Sequence, residues 1–129
     1  MTRHRVPAGT IYADSFGYSR AVRVGNIIHV GGTTATDSEG RIHGKGDMYA
    51  QTLYVLKRIK FALEDLDASM GDVVRTRVFV TDIDAWQEVA RAHGAFFSET
   101  KPAAALIEVS RLIDPDLLVE IEADAVVSG

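Results

Sequence analysis

A single α+β domain is the fold class this sequence predicts. Three patterns predict it: a β-hairpin signal over Gly17 to Thr33, a helical apolar period over Met48 to Leu66, and a β-branched run over Val73 to Val80. The chain has 129 residues, and no linker, repeat or low-complexity stretch divides 1–129 into more than one unit. Apolar residues make up 47% and charged residues 25%, enough to build a core and to cover it.

The hairpin comes first. Tyr18, Arg20, Val22 and Val24 alternate with Ser19, Ala21 and Arg23, Gly25-Asn26 makes the turn, and Ile27 to Val30 returns. Thr36 to Gly46 holds Asp37, Ser38, Gly40, Gly44 and Gly46 and reads as a loop. Then Thr52, Val55, Leu56, Ile59, Ala62, Leu63 and Leu66 recur three or four apart, which places them on one helix face. Asp47 is its expected cap, and Gly71 stops the chain soon after. In the following strand Val74, Thr76, Val78 and Val80 should point one way, and Val73, Arg75, Arg77 and Phe79 the other. Asp84 is expected to cap a second helix that buries Trp86, Val89, Ala90, His93 and Phe97, with Pro102 ending the segment. Ala103 to Ser110 and Leu118 to Val127 read as strands, separated by an Asp114-Pro115 turn.

The expected order is β-β-α-β-α-β-β. Two helices cannot cover both faces of such a sheet, so they should pack on one. The other face is then a contact surface, and closed cyclic assembly is the usual way to bury it. A net charge of −4 argues against a nucleic-acid partner, which requires a basic stripe. With no cysteine there are no disulfides, thiolate zinc sites or cysteine nucleophiles. Met1 to Ala8 lacks the apolar run of a signal peptide, and no stretch approaches the ~20 apolar residues of a membrane span. These readings predict a cytoplasmic protein without a membrane partner.

Several short motifs then align in order. Gly17-Tyr18-Ser19, Val24-Gly25-Asn26, Ala50-Gln51-Thr52, Gly71-Asp72-Val73-Val74-Arg75-Thr76, Val80-Thr81-Asp82, Phe96-Phe97, Pro102-Ala103, Glu108-Val109 and Val119-Glu120-Ile121-Glu122-Ala123 resemble the Rid (reactive intermediate deaminase; YjgF, L-PSP endoribonuclease) family over nearly the whole chain. The resemblance implies a chorismate-mutase-like fold, a barrel-like homotrimer and ligand sites in clefts between subunits. It also implies hydrolysis of enamines and imines to keto acids and ammonia, with no cofactor and no metal.

The family's residues carry over one at a time. Its tyrosine matches Tyr18 and its last-strand glutamate matches Glu120, which the resemblance makes the catalytic pair. Its substrate-gripping arginine falls at Ala104 and the serine after it at Ala105. The serine following the hairpin falls at Gly31, and a second-helix asparagine falls at Ala90. The scaffold is therefore kept while the carboxylate anchor is gone, as in the arginine-less branches of the family. A charged hydrogen bond of this kind is worth ~1.5–3 kcal/mol, so imino acids of the usual kind should bind more weakly. Arg20, two residues beyond Tyr18 on the same strand face, is the candidate to supply a guanidinium from another direction. Gly31, Ala104, Ala105 and Glu108 complete the expected ligand-binding set, Glu108 because it shares the Ala104 face of its strand.

Bland readings stand beside these. Glu120, Glu122 and Asp124 point to one side and are expected to meet Arg75 and Arg77 rather than a metal ion. His29 and His93 have no i, i+4 histidine partner and read as structural. Gly31-Gly32 reads as a close backbone approach rather than a phosphate cradle. Ser15, Ser19 and Ser98 lack a nucleophile-elbow setting. Three functions remain: an imine or enamine deaminase with an atypical substrate, a non-catalytic trimer that binds a metabolite such as an imine or keto acid, and a ribonuclease or translation inhibitor, which the acidic composition disfavours.

Overall fold

The computed structural model describes residues 1–128. In chain order the elements are β1 (Arg3–Pro7), α1 (Ala13–Phe16), β2 (Ser19–Val24), β3 (Ile27–Thr33), α2 (Met48–Asp65), β4 (Val73–Val80), α3 (Trp86–Phe97), β5 (Ala103–Glu108) and β6 (Val119–Val126). Short 3-10 turns at Met70–Asp72 and Ile83–Ala85 lead into β4 and α3. The strands form one six-stranded sheet in the order β1-β2-β3-β6-β4-β5. Only β4 and β5 are parallel, with α3 as their crossover; the other neighbours are antiparallel.

The α+β class expected from the sequence is present, with α2 and α3 packed on one face of the sheet and the single-turn α1 lying over the other. The count differs: the described residues form six strands and three helices, because β1 and the single-turn α1 precede the hairpin. α2 buries Gln51, Thr52, Val55, Leu56, Ile59, Ala62 and Leu63, and Asp47 Oδ1 accepts from the Ala50 N–H at 3.0 Å, as the capping residue should. Beneath it, Ile28, Val30, Val78, Val80, Val119, Ile121, Ala123 and Ala125 close the core from the sheet.

Three local expectations are corrected. A register shift between Val73 and Arg75 turns Val73 into the core and leaves Val74 exposed; a bulge reverses the alternation locally. α3 buries Val89, Ala92 and Phe97, whereas Trp86 and Ala90 face outward, so the apolar face is rotated from the one expected. Asp84 caps nothing: the Asp82 carboxylate accepts from the Asp84 N–H at 3.0 Å, and α3 starts from the 3-10 turn after it.

Buried Gln51 ties the helix layer to the chain before β6. Its amide donates to Asp116 O at 2.9 Å and Gly44 O at 3.3 Å, and its carbonyl accepts from Leu118 N–H at 2.9 Å. That fixes the segment carrying Ile113 beside the site described next. Among the described residues, no helix is long and apolar enough to cross a membrane.

Candidate functional site

Strand alternation decides which side chains leave the core. Ala21 of β2 and Ile121 of β6 face the helices, so Arg20 and Glu120, one residue before each, project from the opposite face. Tyr18, two residues before Arg20, lies on that side too, with the Arg20 guanidinium carbon 5.5 Å from its ring centroid. Tyr18, Arg20 and Glu120 line one cavity of about 360 Å³, with Gly32 as part of its wall. The segment from Thr10 to Phe16 crosses over it, and Ile113 closes the far side. Thr10 Oγ1 hydrogen-bonds the Tyr18 hydroxyl at 2.5 Å, and the Phe16 and Tyr18 rings meet edge to face at 5.7 Å.

Arg20 is only 4% exposed, yet among the described residues no carboxylate lies within 4.0 Å of it. Nη1 donates to Gly32 O at 2.7 Å and Thr33 Oγ1 at 3.0 Å. Nη2 reaches Ala8 O and the Tyr18 hydroxyl only at 3.4 Å, and Nε has no partner. Neutral oxygens therefore orient the cation without cancelling its charge.

Glu120 occupies space that Gly32 leaves free. A Cβ on Gly32 would stand 2.0 Å from Glu120 Oε2, so this position keeps no side chain where the carboxylate lies. Burial pushes the Glu120 carboxyl above its ordinary range; Arg20 pulls it back, and Glu122 adds to the rise. The other two carboxylates on this face of β6 are already engaged. Arg77 Nη1 meets Glu122 at 3.1 Å and Asp124 at 3.4 Å, and His29 Nδ1 lies 2.7 Å from Asp124. The expected pairing of the carboxylate row with β4 arginines is thus present for Arg77 and does not extend to Glu120, which stands opposite Phe79. Among the described residues, no group of three His, Asp or Glu is placed to hold a metal ion.

The remaining expected positions lie elsewhere within one chain. Gly31 is next to the cavity wall but approaches β2: a Cβ there would be 3.4 Å from Ser19 O. Ala104, Ala105 and Glu108 are on β5, four strands from β2 and roughly 19 Å away across the sheet. They are exposed, and Glu108 Oε1 accepts from the Ile83 N–H at 3.1 Å. Sequence reading missed Thr10, Phe16 and Ile113, which reach the cavity through loop paths that no periodicity signals. It also missed Arg58, a polar position on a helix read only for its apolar face. Arg58 Nη1 donates to Thr34 O at 2.7 Å, on the cavity wall; burial lowers its affinity for the proton, and nearby Arg20 lowers it further.

The comparisons with known proteins agree on one family. The sequence profile described as Endoribonuclease L-PSP matches residues 12–127. A RutC family protein of Pyrococcus abyssi is 41% identical over 108 residues, 84% of each chain. A solved structure from Mycobacterium tuberculosis, described as a member of the YjgF/YER057c/UK114 family, superposes with a TM-score of 0.89 at 45% identity, covering 98% of this chain and 100% of that one. The YjgF gene product of E. coli gives 0.81 at 31% identity, covering 95% and 98%.

Proposed function

The chain belongs to the endoribonuclease L-PSP family, also called Rid or YjgF, and from that premise we propose that it hydrolyses a small anionic imine or enamine in the Tyr18–Arg20–Glu120 cavity. The observation that carries the reading is the joining of a buried, unneutralised guanidinium, a phenol and a carboxyl of raised proton affinity around one cavity of about 360 Å³.

Each group has a role. The Arg20 charge attracts the carboxylate of an imino acid and takes over an anchoring task that Ala104 cannot perform. Glu120 accepts a proton from water as the water oxygen adds to the imine carbon. The same carboxyl then returns the proton to nitrogen, and the carbinolamine collapses to a carbonyl compound and ammonia. A carboxyl shifted upward suits this exchange better than an ordinary one, because its two protonation states are closer in energy at neutral pH. Tyr18, held by Thr10, orients the polar end of the substrate.

Homotrimeric assembly and a cytoplasmic location belong to the same proposal. Support for assembly comes from β5, exposed along its length and carrying Leu106 and Ile107 at the sheet edge. A neighbouring subunit would cover that strand, and Ala104 and Ala105 would then approach a site from another chain. Light scattering at three times the chain mass supports this; a stable monomer overturns it.

The chemical test is ammonia release from 2-aminoacrylate and from larger imino acids generated in situ. Acceleration that disappears in Glu120→Gln is the expected result. No acceleration with any imine, together with ligand-induced stabilisation by keto acids, would replace the hydrolase by a metabolite-binding protein. That second reading draws on the same buried Arg20, which can hold an anion without any chemistry.

A further inference from the structure

Arg20 has a companion cation that the reaction above does not use. Arg58 of α2 donates to Thr34 O at 2.7 Å, and Arg20 of β2 donates to Gly32 O at 2.7 Å. The two guanidiniums thus grip the same stretch of chain from different elements, at carbonyls two residues apart. In extended backbone that separation is roughly 6–7 Å. Gly32 and Thr34 both line the cavity.

The local charges do not cancel. Arg58 makes no ion pair within 4.0 Å among the described residues, and neither does Arg20. On the loop side, Asp37 is committed to Arg41 at 3.2 Å and His43 at 3.0 Å, and the second of these contacts drives its carboxyl well below the usual range. On the sheet side, Glu122 and Asp124 are taken by Arg77 and His29. Glu120 faces Arg20 only, with burial raising its carboxyl and Arg20 pulling it back; the charges felt by Arg58 are those of Arg20 and, in the opposite sense, Tyr54, Tyr18 and the already engaged Asp37. Burial lowers the proton affinity of Arg58 most and the Arg20 charge lowers it further, and that repulsion between the guanidiniums is left for a ligand to relieve.

We propose that the cavity selects ligands with two separated anionic groups, of the dicarboxylate class, one drawn to Arg20 and the other to the Thr34 wall, which Arg58, itself outside the lining, holds by its carbonyl and charges from beyond. The inference rests on the anion-site reading and narrows its substrate. Two charges held apart along an extended segment suit carboxylates separated by a short carbon chain; a compact phosphate would present its charge at one point. Backbone carbonyls fix both guanidiniums before the ligand arrives, which reduces the ordering cost on binding.

The experiment is isothermal titration of the intact protein with 2-oxobutanoate and with 2-oxoglutarate, a monocarboxylate and a dicarboxylate keto acid, at fixed ionic strength. Wild type should bind the dicarboxylate at least about tenfold more tightly, equivalent to about 1.4 kcal/mol. Arg58→Gln should reduce that preference to about twofold or less, and Arg58→Lys, which keeps the charge, should retain most of it. Equal binding of the two ligands by wild type overturns the inference and leaves the anion site standing. So does a preference that survives Arg58→Gln. Failure of both keto acids to bind sinks the anion-site reading itself. Because Arg58 is only partly buried, its variants should fold, and circular dichroism of each provides the control.

Discussion

Replacing Gly32 by alanine separates the site from the scaffold more cleanly than any other single change. The added Cβ would sit 2.0 Å from Glu120 Oε2, 3.1 Å from its Cδ and 3.5 Å from its Cγ. An ordinary contact begins near 3.4 Å, so the carboxylate must retreat by about 1.4 Å. The obstructing atom is the end of a flexible side chain, and moving it costs one off-rotamer adjustment of about 0.5–1.5 kcal/mol. Gly32 is not in the left-handed region, so alanine recovers about 0.5–1 kcal/mol of backbone entropy in the strand. The two nearly cancel, and the melting temperature should move by no more than about 4 °C. Catalysis has no such compensation. A displacement on the order of 1 Å at a reacting group costs about a hundredfold, and kcat/KM for imine hydrolysis should fall by about that factor. Thermal denaturation and ammonia release on the same preparation decide it. An unchanged rate shows that Glu120 does not work from the observed position. A large fall in melting temperature shows that the backbone, rather than the carboxylate, absorbs the strain.

Burial raises the Glu120 carboxyl above its unfolded value of 4.5, so the folded state holds a proton that the unfolded chain releases. That contribution is complete below pH 4.5 and is lost as pH rises through the folded value; Glu120→Gln should therefore be more stable than wild type at neutral pH, the difference vanishing below pH 4.5 in urea titrations. His93 has the opposite sign. Burial depresses it below 6.5, so its contribution is present above pH 6.5 and lost as pH falls through the folded value, and His93→Gln should flatten that acid limb. Arg20→Met strips Gly32 O and Thr33 Oγ1 of a donor and should destabilise by about 2–4 kcal/mol in chemical denaturation, while abolishing anion binding. Gln51→Leu leaves Asp116 O and Leu118 N–H without a partner and should cost about 2–4 kcal/mol. Its effect on hydrolysis should be several-fold at most, through the displaced Ile113 segment.

What the sequence made legible follows a physical division. α2 was readable because its burial is periodic and its cap is local: Asp47 acts on a residue three positions away. Placing Tyr18, Arg20 and Glu120 on one face required only strand alternation together with the family resemblance. β1 was not readable. Its residues are almost all exposed, and its partners lie in β2, so no pattern in Arg3–Pro7 itself announces a strand. The β4 bulge and the rotated face of α3 escaped for a related reason, since each is set by how neighbouring elements dock. Arg58 escaped because a single polar residue on a helix reads as solvated until the chain that it grips is seen.

The placement of charge gives the site its character. A buried guanidinium facing a buried carboxylate would form a closed pair, attractive to no ligand and costly to open. Here the paired charges lie farther along the sheet. Arg77 serves Glu122 and Asp124, and His29 serves Asp124, so the central carboxylates are compensated without drawing on Arg20. Around Arg20 the partners are two carbonyls and two hydroxyls, which fix geometry and leave the potential positive. Glu120 lies within reach of that potential and under the opposing pressure of burial. An anion entering the cavity takes part of the Arg20 field away from Glu120, and the carboxyl should bind its proton more tightly as a result. Binding and proton affinity are then linked: ligand uptake near pH 7 should draw protons from solution, and titrations in buffers of different ionisation enthalpy should give different apparent heats. Identical heats in all buffers would mean that Arg20 and Glu120 are not coupled through the cavity.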